Sequence, residues 1–388
     1  MFTVADLFQL SILESADILT GESGFDRPIR NVGLLDYEYI SGEIYEGFLP
    51  DDLVLSSLLS IRERPDLVVD AVRALVDMGV SCAGIRKIYL EQLPEDLIRY
   101  AVERNFSLFL FEEEISFSDI IIKVFDNLKY EDQGRREEEL AEKLAERGGS
   151  PEEARTLALE LRPDLYETGA VICLQGSHRF LREDIDRIQG FFPKEEEEVR
   201  WLVSRFRLGA AVFLTFSGRH GKGCGDVIRR LAEQCALGLP GASVGVGGLS
   251  KDLGGLGMGL LEAEYACRFS GVTGKGPVFF EEMGPYRLMM PLLDSPWASR
   301  YCEAVLGPLL HGLQCDQKRN EILLETLAAY VACSGSIKKT AESLEQHENT
   351  VRYRMRQICH ILGLKMNEET DWLQMCVSVH LYKMLTFQ

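Results

Sequence analysis

The sequence predicts a multidomain chain, two α/β domains followed by an all-α domain, and three observations lead there. Its 388 residues amount to about 2.6 times a usual domain of ~150, which favours two or three cores over one. Short apolar runs alternate with helix-period segments over residues 1–128 and again over 165–285, the pattern of layered strands and helices, whereas the chain from Trp297 onward reads as helix alone. At 46% hydrophobic and 27% charged the composition is globular, which excludes disorder, collagen and a disulfide scaffold.

In the first domain, residues 1–128, the strands are placed at Leu53–Ser57, Ser81–Ile85 and Ser107–Phe111. The helices between them, Pro65–Met78 and Pro94–Glu103, each open on proline, whose missing N–H would be unpaired in a first turn anyway. The first aligns Leu67, Ala71, Ala74, Leu75 and Met78 on one face. Asp36, Glu38 and Glu43 are carboxylates near strand ends, available to a small-molecule pocket but common enough in loops to be a weak pointer.

Residues 129–164 read as a charged helical linker. Ten acids and six bases fall between Glu131 and Pro163, interrupted by Gly148-Gly149-Ser150-Pro151, after which Ser-Pro-Glu-Glu starts a second helix. A mixed charge run of this kind is ordinarily a solvated helix face.

The middle domain, 165–285, shows strand Thr168–Gln175, helix Leu181–Phe191 and hairpin Val199–Phe206 with Ala210–Phe216, then helix Asp226–Leu237. Strand Ala242–Val246, helix Leu253–Arg268 and strand Pro277–Phe280 complete it. This βαββαβ order is that of palm or ferredoxin-like folds. Palm enzymes hold metal ions on carboxylates at strand ends. Here neither Thr168–Arg182 nor Val199–Gly225 contains an Asp or Glu, and the hairpin tip Ser204–Gly209 is basic, so the palm is degenerate and a nucleotide-processing enzyme is disfavoured.

Other catalytic motifs fail on spacing. A phosphate loop around Gly221-Lys222-Gly223 would need Gly where Phe216 stands, and Gly245-Val246-Gly247-Gly248 ends its dinucleotide pattern on Ser250. The six histidines form no metal-ligand pair, and the ten cysteines lie at least 11 positions apart, the pattern of reduced cytosolic thiols. No catalytic residue, metal or cofactor is expected. No apolar run reaches the roughly 18 residues of a membrane span, and Asp6 sits where a signal peptide would be positive, so the expected location is the cytoplasm, with no membrane partner.

The strongest signal lies in the helical domain, 296–388, within residues 320–363. Helix Asn320–Ala332 aligns Leu323, Leu327, Tyr330 and Val331, and Ser336 caps a second helix, Ile337–Leu344. A third runs from about Asn349 to Leu362, burying Val351, Met355, Ile358 and Leu362 and ending on Gly363. Its opposite face carries Asn349, Tyr353, Arg356 and His360, flanked by Thr350, Arg352 and Gln357. The formal net charge of −19 repels nucleic acid as a whole, so any DNA contact has to be local. Between Gly335 and Lys365 six bases meet three acids, a local +3.

These features spell a helix-turn-helix, the alternatives being an ordinary three-helix cap or a scaffold that binds a protein partner. In the DNA reading Asn349, Arg352, Tyr353 and Arg356 contact bases, because Arg matches guanine and Asn matches adenine in bidentate fashion. Lys338 and Lys339, with the preceding helix, hold phosphates. Arg354, turned toward the buried stripe, suits a phosphate contact or an internal ion pair. Ser336, Thr340, His347 and Thr350 complete the candidate set.

Segments at both ends of the chain carry a family resemblance. Leu324–Tyr330, Lys339–Leu344 and His347–Arg354 with Leu362-Gly363 resemble the C-terminal helix-turn-helix of PucR-type (CdaR-related) bacterial transcription regulators. Phe2–Leu7, Asp26–Arg30 and Asp52–Ser57 resemble that family's purine-catabolism-regulator-like N-terminal domain. The middle domain then corresponds to the family's degenerate, non-catalytic GGDEF-like domain. The chain departs from the family pattern in Glu348, where a basic residue is common, and in the acidic Glu345. The resemblance implies a ligand-responsive regulator, usually an activator of catabolic genes for purines or other nitrogen compounds. Its implied partners are double-stranded DNA, a small-molecule effector from such a pathway, and a second copy in a homodimer or higher homo-oligomer.

Overall fold

The computed structural model describes the chain except for residues 36–38, 41–42, 45–46, 60–66, 90–91, 147–149, 193–197, 219–222, 312–316, 367 and 387–388. The chain opens on α1 (Val4–Leu7), where Thr3 and Asp6 form a reciprocal capping box. The strands that follow are β1 (Asp17–Ile18), β2 (Asn31–Leu34), the small pair β3 (Tyr39–Ile40) and β4 (Glu43–Ile44), and β5 (Asp52–Ser56). Next come α2 (Leu67–Asp77), β6 (Cys82–Arg86), α3 (Glu95–Glu103) and β7 (Ser107–Phe111).

The main sheet has the order β1-β7-β6-β5-β2, parallel throughout except for β1 at its edge. Parallel strands are covered on both faces, which is why β5 and β7 are apolar runs without alternation and buried along their whole length. One face packs on α2 and α3 through Val54, Leu75, Leu97 and Leu108. The other is covered by the N-terminal segment and by Ile120 and Val124, which meet Leu53, Phe109 and Phe111. The three expected strands and two expected helices are present, with ends shifted by a residue or two; Pro94 takes the N-cap position, and Pro65 lies outside the described residues. Asp36 and Glu38 also lie outside them, and of Glu43 only the strand backbone is described.

The linker expectation needs correction. A single helix of 30 residues, α4 (Phe117–Glu146), runs through the anticipated boundary at 128, followed by α5 (Pro151–Leu161). Its beginning belongs to the first core, while Leu140, Ala141, Leu144 and Ala145 belong to the second. Its charges are not simply solvated either. Glu131 meets Arg205 and Arg179, Glu138 meets both at 3.4 and 3.5 Å, and Glu142 meets Arg207 at 2.7 Å. The basic hairpin tip of the middle domain is thus neutralised by the acidic linker, with buried Arg205 also lying over the Tyr130 ring.

The middle unit contains β8 (Thr168–Gln175), α6 (Arg182–Phe191), β9 (Val199–Phe206), β10 (Gly209–Phe216), α7 (Cys224–Gly238), β11 (Ser243–Val246), α8 (Leu256–Thr273) and β12 (Val278–Phe279). Sheet order is β12-β11-β8-β10-β9, with β11, β8, β10 and β9 antiparallel in sequence and β12 parallel to β11. The first four strands therefore stand in the order 4-1-3-2, a split βαβ arrangement. Helices α6 and α7 cover one face, whose core includes Ile172, Ile188, Val212 and Leu231, while α4, α5 and α8 cover the other through Val171, Phe213, Ala158 and Leu260.

Helices α9 (Tyr286–Leu293), α10 (Pro296–His311), α11 (Gln317–Ala332), α12 (Ile337–Ser343), α13 (Glu348–Leu362) and α14 (Glu369–Thr386) form the C-terminal unit. Leu306, Leu327, Val351, Met355, Ile358 and Met375 build its main core, and α14 joins α9 and α10 against α8. No helix among the described residues is long and apolar enough to cross a membrane. The nine described cysteines are unbridged.

Candidate nucleic-acid interface

Helices α11, α12 and α13 hold the expected recognition surface, and each is set by local chemistry. The turn into α12 uses Ser334 and Gly335 in left-handed conformations (φ 53° and 77°). A side chain on Gly335 would reach Trp372, whose ring stands edge-on to Tyr330 at 5.8 Å. Ser336 then caps α12, its hydroxyl accepting from Lys339 N at 3.3 Å. The turn into α13 places Glu345 in the left-handed region (φ 51°), and His347 caps α13 by accepting from Asn349 N at 3.2 Å. At the far end Gly363 (φ 67°) donates to His360 O and Leu364 to Cys359 O, closing the helix as its glycine suggested.

The candidate residues divide into an outward set and a supporting set. Lys338, Lys339, Asn349, Arg352, Tyr353 and Arg356 are exposed, and Thr350 half-buried. Among the described residues none of the two lysines, Arg352 or Arg356 forms an ion pair. Tyr353 is 61% exposed and its hydroxyl accepts from Gln357 Nε2 at 2.8 Å, which orients the ring on the helix surface.

Thr340 does not join them. It is fully buried and its hydroxyl donates to Ser336 O at 2.8 Å, so it locks the first turn of α12 rather than facing a ligand. Ser336 and His347 act as helix caps. Arg354 is half-buried and donates to Thr326 Oγ1 of α11 at 3.4 Å, bracing α13 against the first helix. Thr326, itself buried and bonded to Ile322 O, is the residue that sequence reasoning missed; its partner comes from another helix, so no local spacing announces it. Lys365 is taken up by Glu368 at 2.7 Å. The patch left for phosphates and bases is thus Lys338, Lys339, Arg352 and Arg356, and Glu345, in the turn between the two helices, and Glu348, at the start of α13, are exposed as well.

Residues 323–381 match the PucR C-terminal helix-turn-helix domain, and residues 6–128 match the purine catabolism regulatory protein-like family. Both ends of the chain are PucR-family domains. PucR domains belong to transcriptional regulators, not enzymes, and the helix-turn-helix is a DNA-binding module. The chain is 23% identical over 119 residues to the purine catabolism regulatory protein of Bacillus subtilis, covering 30% of this chain and 22% of that protein. It is 43% identical over 49 residues to uncharacterized proteins of Mycobacterium bovis and Mycobacterium tuberculosis, covering 13% of this chain and 12% of theirs. The matched segments thus span less than a quarter of these relatives. A solved structure, a regulator of polyketide synthase expression from Bifidobacterium adolescentis, aligns over 64% of this chain and 97% of its own at 14% identity. Its TM-score of 0.31 is too low to carry a structural conclusion.

Proposed function

We propose that this PucR-type chain is a cytoplasmic, ligand-responsive transcriptional activator of catabolic genes for purines or other nitrogen compounds, working as a homodimer or higher homo-oligomer. The observation that carries the DNA-binding part is the set Lys338, Lys339, Arg352 and Arg356, exposed and without an ion pair among the described residues, on adjacent helices of a helix-turn-helix. Asn349, Arg352, Tyr353 and Arg356 read base edges in the major groove, Lys338 and Lys339 hold phosphates, and Thr350 borders both groups. Thr340, Ser336, His347 and Arg354 position the two helices.

The remaining units take supporting roles: 1–128 senses or transmits, and 165–285 mediates sensing or self-association. The 4-1-3-2 strand order and the missing strand-end carboxylates support a non-catalytic, GGDEF-like middle domain. The purine setting is supported by the N-terminal family match and the Bacillus relative. Regulation works as a population shift, the effector favouring one relative placement of two recognition helices.

Selection of bound fragments from genomic DNA tests the reading. Wild-type protein is expected to enrich one or a few upstream regions, and Arg352→Ala/Arg356→Ala to lose them. Absence of enrichment at low salt, with and without purine metabolites and amino acids, would favour the protein-partner scaffold.

A further inference from the structure

A cavity of about 300 Å³ opens in the middle unit, between the first turn of α7, the end of β11 and residues 279–282. Buried Ile228 and Val246 contribute its apolar lining. One wall shows what the cavity can hold. The Arg229 guanidinium lies 4.0 Å from the centroid of the Phe279 ring, and its Nη2 stands 2.6 Å from Glu282 Oε1. A planar cation is there gripped between an aromatic face and a carboxylate.

The same two groups recur beside it without an internal cation. Phe280 and Glu281 line the cavity, and Asp226 faces it from α7; neither Glu281 nor Asp226 has an ion-pair partner among the described residues. Gly248 keeps the intervening space open. A methyl there would stand 3.0 Å from Glu262 Oε2, which already accepts from Gly248 N, and 3.6 Å from Glu281 Oε1. The lining charge is therefore negative, while the walls are flat and apolar.

We infer that this cavity binds a small organic cation with a flat apolar body, an amidine, guanidine or amine, seated on Phe280 and held by Glu281 and Asp226. The site also touches the DNA-binding end of the chain. Phe280 and Met283, on the segment that forms the cavity wall, pack into the core shared by α8, α9, α10 and α14 with Met290, Cys302 and Leu381. An occupant that shifts residues 280–283 shifts that joint. The consequence for DNA rests on the regulator reading above; the binding itself does not.

The probe is benzamidine, titrated into the full chain by calorimetry beside neutral benzamide and anionic benzoate. Benzamidine is expected to bind in preference to both, and Glu281→Gln and Asp226→Asn each to weaken it by about tenfold, as lost charge-assisted hydrogen bonds should. Arg229→Ala, which vacates the Phe279–Glu282 grip, is expected to strengthen binding, an outcome misfolding cannot imitate. Slower amide exchange in α9 with benzamidine bound would carry the coupling; unchanged exchange there would overturn it. Benzoate binding as well as benzamidine, or affinity indifferent to Glu281→Gln and Asp226→Asn, would overturn the site. A chain that takes benzamidine here yet selects no DNA would contradict the regulator reading and leave the site standing.

Discussion

The Lys339 side chain is exposed and has no ion-pair partner among the described residues, while the hydroxyl of Thr340, one position on, is sealed against the Ser336 carbonyl. Exposed lysines on a DNA-binding helix act through phosphates and hence through released counterions, so Lys339→Ala should lower the slope of log affinity against log salt by about one. Thr340→Val should leave that slope unchanged and lower the stability of the C-terminal unit by about 1 kcal/mol, the net worth of one hydrogen bond. Fluorescence anisotropy at several salt concentrations, with thermal melts, separates the two. Glu345 makes a different case. It holds the turn between α12 and α13 at φ 51°, where a side chain crowds the backbone, and it is one of the three acids set among the six bases of residues 335–365. Glu345→Gly should therefore stabilise the unit by about 1 kcal/mol and tighten DNA binding together. A variant that melts lower than wild type would contradict the strain argument.

Among the elements, α4 does most to connect the chain. Its first turns lie in one core and its last in another, and between them Glu131 meets Arg205 and Arg179. Burial pushes the Glu131 carboxyl up, but the N-terminal ammonium, 2.8 Å away, together with Arg205 and Arg179, overrides it and holds the group at about 2. A carboxyl whose folded value lies below its unfolded one stabilises the fold above the unfolded value and ceases to do so as pH falls through the folded value. The contribution of Glu131 is accordingly full above about pH 4.5 and lost on descending toward pH 2. Glu131→Gln should remove that acid sensitivity and, by leaving buried Arg205 only its longer contact to Glu138, destabilise the α4–hairpin contact by about 2 kcal/mol. Amide exchange along residues 131–146 and 203–209 across this pH range provides the check. No short-range pattern could have revealed the pairing, since Glu131 and Arg205 are 74 positions apart; the sequence showed acids in one place and bases in another without joining them. The short helices of the C-terminal unit were legible because their signals are local: Ser336 as a cap, Gly363 as a terminator, and a helical stripe of Val351, Met355 and Ile358.

At the scale of the molecule, a net charge of −19 confines any contact with a polyanion to a small local surface, and the proposed one is the basic patch on α12 and α13. The strand and helix order of the middle unit was readable from periodicity, because buried strands and amphipathic helices each impose their own spacing, but in the first unit only β5, β6, β7, α2 and α3 were, the short or exposed β1 to β4 carrying no such pattern. The division of the DNA-binding candidates into contacting and bracing residues was not. Thr340 reads as a surface polar residue in the sequence, and its burial shows it turned inward; although the projection puts Arg354 near the buried stripe, only the packing of α11 against α13 supplies its partner, Thr326. The same packing concentrates the account on four side chains, so it can be tested on them. The decisive measurement is affinity for the selected upstream fragment as a function of salt, for wild type and for Arg352→Ala/Arg356→Ala. The account predicts tight binding that weakens steeply with salt, and a double variant weaker by at least about 2 kcal/mol that no longer distinguishes the fragment from unrelated DNA. Equal affinity and equal discrimination in both proteins would contradict it.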